Sequence, residues 1–263
     1  MPPQDTKTAL VTGASGGMGA AFAQRLADRG YDLVLVARNK ERLDTLAAGI
    51  TERTGRRAET LAADLTRDKD LASVEKRLRT DDAVHVLVNN AGGGLFGPIV
   101  TADPAAADEL IKLNVTAFTR LATAAAAAFS ARDDGVILNV SSGLAVGILP
   151  VSAVYSGTKA YVVSFSQALR QEFADTGVRV QTFMPGATRT KFWDGSGLEL
   201  SALPDRAIMS LDDAVTAAFA GLDAGESVTV PSLPDSEWAT LEETLRAVSP
   251  HFSGAELAAR YIR

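Results

Sequence analysis

Short apolar runs rich in branched residues alternate along the chain with stretches of helical periodicity. The runs at 8–12 (TALVT), 32–37 (DLVLVA), 84–88 (VHVLV), 135–140 (GVILNV) and 178–184 predict buried strands, and 58–63 predicts a weaker one. Between them the spacing predicts helices over 17–29, 40–52, 68–79, 104–131 and 152–175. Strands apolar on both faces, exchanging with helices at this interval, indicate an α/β protein with a parallel sheet covered on each side. The rhythm runs to about residue 184 without a linker, so 1–263 reads as one domain with its core in 1–189. In 190–210, Phe192, Trp193, Leu198, Leu200 and Leu203 interleave with Gly195, Gly197 and Pro204. The Gly195–Gly197 stretch is expected to serve as a lid that closes over substrate. A helix over 211–222, a short strand over 227–231 and a helical tail within 232–263 complete the prediction. The alanine run 124–128 reads as a helix that approaches its neighbours closely, within the chain or in another subunit.

Composition narrows the chemistry. Apolar residues make up 46% and charged residues 22%, the balance of a core-forming protein rather than a disordered one. The net charge of 26 − 32 = −6 argues against nucleic-acid and anionic-membrane partners. Absence of cysteine removes disulfides and thiolate catalysis. His85 and His251 are too few and too far apart for a histidine metal cluster, so no metal is expected. The first residues carry no secretory leader pattern. The longest nearly apolar run, 121–129, is about half of a ~20-residue membrane span. A cytoplasmic protein is expected.

Residues 12–19 read T-G-A-S-G-G-M-G, leaving the first predicted strand and opening the first predicted helix. Glycines there permit a tight turn and close approach of the backbone to a pyrophosphate; the helix start adds free N–H groups and partial positive charge. Gly13, Ser15, Gly16, Gly17, Met18 and Gly19 are therefore candidate phosphate-binding residues. The same stretch matches G-x-S-x-G, the turn that carries the nucleophilic serine of hydrolases. That reading needs an acid and then a histidine downstream, but His85 falls in an apolar strand and His251 in the irregular tail. Phosphate binding is the better reading. After the second strand stands Ala37-Arg38-Asn39. A carboxylate there would take the ribose 2′-hydroxyl of NAD, whereas Arg38 suits a 2′-phosphate and favours NADP(H). Asp64, after the third strand, is placed to contact adenine.

Tyr155 and Lys159 stand at i and i+4 on one helix face. An ammonium near a phenol favours the phenolate, so the pair predicts a tyrosine pKa below its usual value of about 10, suited to proton transfer. Ser142, thirteen residues earlier at the end of the fifth strand, is positioned to hold a carbonyl beside the tyrosine.

With Asp64-Leu65, NNAG at 89–92, Asn114, YSGTK at 155–159, and PG at 185–186 followed by Thr190, the chain resembles the short-chain dehydrogenase/reductase family over about residues 6–190. The resemblance implies a Rossmann-type doubly wound sheet of about seven strands in the order 3-2-1-4-5-6-7, and the NADP-preferring subgroup. It implies a catalytic tetrad of Asn114, Ser142, Tyr155 and Lys159. Tyr155 would be the acid/base and Ser142 would orient the carbonyl. Lys159 would bind the nicotinamide ribose and lower the Tyr155 pKa. Asn114, at a kink in its long helix, would hold a water that extends the proton relay. Asn39, Leu65, Ala91, Gly92, Pro185, Gly186 and Thr188 join the expected cofactor contacts, with Asn90 steadying the sheet and Thr190 meeting the carboxamide. The two long helices imply a homodimer built as a four-helix bundle. The tail beyond Pro231 departs from many relatives and leaves tetramer assembly open.

Pocket candidates are Gly93, Gly94, Leu95, Phe96, Val146, Ile148, Leu149, Phe192 and Trp193. Their apolar character predicts reduction of an apolar ketone or aldehyde, or oxidation of the corresponding alcohol. Arg189, Lys191 and Arg206 keep a 3-oxoacyl thioester as an alternative. A non-catalytic NADP-sensing protein is a third reading, against which the four intact catalytic positions argue.

Overall fold

β1 (Thr8–Thr12) is buried throughout and pairs in parallel with both β2 (Asp32–Ala37) and β4 (Val84–Asn89), so the sheet is wound outward in two directions from its first strand. Such burial on both faces requires helices above and below. The computed structural model describes residues 7–235 together with 237 and 240. Its seven strands stand in the order β3-β2-β1-β4-β5-β6-β7, all parallel, with β3 at Ala58–Ala62, β5 at Gly135–Val140, β6 at Val178–Phe183 and β7 at Val228–Thr229. This is the expected doubly wound order. β3 reads weakly in sequence because it is an edge strand with no fully buried residue.

One layer holds α1 (Gly17–Asp28), α2 (Lys40–Thr54) and α7 (Leu211–Asp223), where Phe22 meets Phe183 and Phe219 edge-on. The other holds α3 (Asp68–Thr80), α5 (Phe118–Ala131) and α6 (Ala153–Glu172). Ala124 and Ala125 are fully buried with Leu10, Leu87 and Ile137. The alanine run therefore serves close packing of α5 on the sheet of its own chain. The helix predicted over 104–131 runs as α4 (Pro104–Ile111), a π turn at Lys112–Ala117, and α5. A π turn inserts one residue into the helical ladder, and here it carries Asn114 inward.

The chain divides into two compact units, Met1–Pro231 and Ser232–Arg263. Residues 235, 237 and 240 of the second are helical; the remainder of the predicted tail, residues 236, 238, 239 and 241–263, lies outside the described residues. Among the described residues, no helix is long and apolar enough to cross a membrane and no acidic or histidine group is arranged to hold a metal ion.

Candidate active site

The crevice of a doubly wound sheet opens at the carboxyl ends of the strands, where the winding reverses. Here that point lies between β1 and β4. Asn90 Nδ2 donates to Thr12 O (2.8 Å), and Thr12 Oγ1 accepts from the backbone N–H groups of Asn90 (3.0 Å) and Ala91 (2.9 Å). Asn90 thus ties the two strand ends together. Beyond Thr12 the chain turns through Gly13 (φ +68°) and Gly17 (φ +53°) into α1. A Cβ on Gly13 would stand 2.7 Å from Asn90 Nδ2, and one on Gly19 would collide with the Gly13 carbonyl. The bare backbone leaves a cradle at the α1 N-terminus suited to a diphosphate.

A cleft of about 530 Å³ runs from this cradle to the ends of β5 and β6. Gly13, Ser15, Gly16, Gly17, Met18, Gly19, Asn90, Ala91, Gly92, Pro185, Gly186, Thr188 and Thr190 all line it. Thr190 reaches across to the glycine loop, its Cβ lying 3.4 Å from where a Gly17 Cβ would stand. Arg38, Asn39, Asp64 and Leu65 are not part of its wall. Arg38 is exposed, and the Asn39 side chain caps α2 by accepting from Arg42 N (2.8 Å). Asp64 Oδ1 accepts from Thr66 N (3.0 Å) and Thr66 Oγ1 (2.8 Å), while Leu65 is buried in the core. Burial of Asp64 works to raise its pKa, but the Thr66 hydrogen bonds and the charges of Arg38 and Arg67 hold it below the usual carboxylate value. Arg42, which sequence reasoning passed over, does line the cleft. Its spacing of four residues from Arg38 was the available signal.

At the other end stands the predicted tetrad. Ser142 follows β5; its Oγ accepts from Leu144 N (3.1 Å), and its hydroxyl stands near enough to the Tyr155 phenol to favour the phenolate. Tyr155 and Lys159 lie one turn apart on α6, and Lys159 Nζ donates to Val140 O at 3.0 Å. Asn114 bridges both backbone polar groups of Gly93 and also donates to Thr158 Oγ1 (3.1 Å). Its side chain is thus engaged in holding the loop after β4; Asn114 Oδ1 and Lys159 Nζ lie 3.2 and 3.4 Å from where a Gly92 Cβ would stand.

The expected ionisation of Tyr155 is corrected. Lys159 does not lower the Tyr155 pKa: burial pushes the phenol up to about 12, and the Ser142 hydroxyl only partly opposes this. Burial likewise brings Lys159 down to about 8. The tyrosine ring packs against Phe96 (centroids 5.1 Å apart) and Phe192 (5.7 Å), whereas the ammonium is turned to Val140 O, 5.9 Å from the ring. Desolvation outweighs the attraction at that separation.

Of the pocket candidates, Phe96, Leu149, Phe192 and Trp193 line the cleft, joined by Leu144, Leu198 and Leu203. Leu95 packs behind them. Gly93 is held by Asn114, and Gly94 backs the rings of Phe96 and Phe192. Val146 and Ile148 stand outside the cleft wall, 71% and 67% exposed, because the chain after the Gly143–Ala145 turn swings outward. The stretch 195–197, expected to be a lid, is a docking point: Ser196 is buried, its carbonyl accepts from Phe96 N (2.7 Å), and Gly197 abuts the Phe96 carbonyl too closely for any Cβ. His85, whose Nδ1 lies 2.8 Å from Ala83 O, stands at the opposite end of the sheet from Ser15. It offers no base for a hydrolase.

The chain belongs to the short-chain dehydrogenase family, whose model matches residues 7–199. A short-chain dehydrogenase from Sphingobium yanoikuyae, solved in complex with NADPH, is 42% identical and superposes with a TM-score of 0.91 over 97% of this chain and 100% of that one. The bulky-bulky ketone specific alcohol dehydrogenase from Comamonas testosteroni is 39% identical, with a TM-score of 0.88 over 99% of this chain and 100% of that one. Human 17-beta-hydroxysteroid dehydrogenase type 3 is 34% identical over 184 residues, 69% of this chain and 59% of that protein. The chain spans about three-fifths of the length of the curated relatives it matches.

Proposed function

We propose that the protein is an NADPH-dependent carbonyl reductase acting on apolar ketones or aldehydes. The observation that carries this reading is the Ser142–Tyr155 hydroxyl pair at one end of a cleft whose other end is a glycine cradle at a helix N-terminus. The residues present fit a nicotinamide dinucleotide. Gly13–Gly19 would hold its diphosphate, and Lys159 with Tyr155 would hold the ribose next to the reacting ring. Arg38 and Arg42 would take the 2′-phosphate. NADPH in the structure of the Sphingobium relative supports this choice.

When bound, the reduced nicotinamide supplies the hydride that forms the new C–H bond. Tyr155 donates its phenolic proton to the carbonyl oxygen as that oxygen becomes an alkoxide, and an alcohol results. Ser142 hydrogen-bonds the same oxygen as its charge develops. A phenol held at about 12 keeps its proton at neutral pH, so the free protein presents Tyr155 as a proton donor. Phe96, Phe192, Trp193 and Leu149 exclude water and align the substrate.

The partly exposed Ile111, and Tyr161 with its ring against Phe118 and Phe165, support the proposed homodimer through α4–α6. The cytoplasm is the proposed compartment, on the composition argument above. The test is loss of reduced-nicotinamide absorbance with NADPH and with NADH over a panel of ketones, aldehydes and 3-oxoacyl thioesters. NADPH and apolar ketones should be preferred. Tyr155→Phe should reduce turnover by ~10²-fold or more while NADPH still binds. Wild-type rates in that variant, or turnover only with thioesters, would overturn the reading.

A further inference from the structure

The aromatic wall beside Tyr155 has an unusual backing. Phe96 and Trp193 are stacked, with centroids 6.0 Å apart and planes 18° from parallel. Phe192 stands edge-on to both, at 79° to Phe96 and 89° to Trp193. The corner is held on the Trp193 side, where the indole Nε1 donates to Thr188 O (2.9 Å), and at Phe96, whose backbone is clamped by Ser196 O and Gly197. Phe192 is the looser member, half-buried on a three-residue turn, Lys191–Trp193. Its ring tip leans on Gly94: a Cβ there would stand 2.7 Å from Phe192 Cζ and 3.0 Å from Phe96 Cε2. Gly94 does not have a left-handed φ. Its glycine is therefore explained by these ring contacts and not by backbone conformation.

We propose that Gly94 is a specificity-determining residue. By lacking a side chain it lets Phe192 keep its seat against Tyr155 (ring centroids 5.7 Å apart) and leaves open, on the cleft side of that contact, a slot that takes a flat aryl substituent of the carbonyl substrate, walled by Phe96, Trp193 and Phe192. A methyl at 94 drives the Phe192 ring into the slot, because the Phe96 ring beside it is buried and stacked on Trp193 and has less room to yield. The substrate class is thus an aryl ketone, and the inference rests on the carbonyl-reductase reading above. Residues 94 and 192 act on the size of the slot and take no part in the proton transfer.

The experiment compares kcat/KM for acetophenone and 2-butanone, with NADPH, in wild type, Gly94→Ala and Gly94→Ala/Phe192→Leu. Wild type should favour acetophenone. Gly94→Ala should lower the acetophenone-to-butanone ratio by about tenfold or more, the discrimination that one methylene can impose in an apolar pocket. The double variant should recover most of it, since leucine vacates the space the new methyl needs. A ratio unmoved by Gly94→Ala, a loss that Phe192→Leu does not reverse in a folded double variant, or no wild-type preference for acetophenone would overturn the proposal and leave the carbonyl-reductase reading standing. Wild type that oxidises NADPH with neither ketone, nor with any carbonyl of the wider panel, would remove both.

Discussion

Asn114 Oδ1 accepts from the backbone N–H of Gly93 at 2.9 Å while its Nδ2 donates to the Gly93 carbonyl at 3.0 Å. One buried amide satisfies both polar groups of a loop residue that has left the sheet. Nδ2 also donates to Thr158 Oγ1, which in turn donates to Tyr155 O (2.7 Å). The π turn at 112–117 thereby links the loop after β4 to the helix that carries the phenol and the ammonium. Asn114→Ala should cost ~1–3 kcal/mol for each buried group left without a partner. Urea denaturation should show this as a lowered midpoint at unchanged slope, and an unshifted midpoint would contradict the bridging role.

Lys159 gives a stability profile of definite sign. Its pKa is about 8 in the folded chain against about 10.5 unfolded. Below pH 8 both states are protonated and the folded one bears a buried charge. Between pH 8 and 10.5 the folded chain has released a proton that the unfolded chain keeps, so stability rises with pH over that window. Lys159→Met should therefore be more stable than wild type at pH 6–7, by up to ~3 kcal/mol, with the difference shrinking as pH approaches 10.5. Thermal melts of the two proteins across pH 6–10.5 measure it; a constant difference would rule it out.

Tyr155 should be silent in an alkaline titration of the free protein. Its phenol is raised to about 12, and the chain contains four tyrosines. Ultraviolet difference spectra up to pH 11 should give the same phenolate amplitude for wild type and Tyr155→Phe. A smaller amplitude in the variant would mean that the phenol ionises earlier than its burial allows.

Arg38 and Arg42 should share the discrimination between the two dinucleotides. Each guanidinium lost should weaken NADPH by about tenfold or more, the worth of one charge-assisted hydrogen bond, and leave NADH within about threefold, since NADH offers no 2′-phosphate for such a bond. Fluorescence titrations of Arg38→Ala and Arg42→Ala with both nucleotides decide it. Parallel losses for NADPH and NADH would assign the two arginines to holding the β2–α2 segment rather than to the phosphate.

Much of this protein is determined by local pattern. Apolar runs that must be covered on two faces dictate β1, β2, β4 and β5, and the glycines after Thr12 can form little other than a phosphate turn, because their cost is backbone freedom. The i, i+4 spacing of Tyr155 and Lys159 and the family motif around them are equally local. Other features arise only when distant segments meet. The phenol's pKa turned opposite to the expectation because its sign depends on how tightly Phe96 and Phe192 enclose the ring, and no helical spacing records that. Arg42 entered the cleft, and Val146 and Ile148 left it, by the direction in which their segments emerge from the sheet. Gly195–Gly197 reads as a flexible lid in one dimension, yet it is pinned by Phe96, about a hundred residues away in the chain. Burial and desolvation are properties of enclosed volume, so they are decided by the tertiary structure alone.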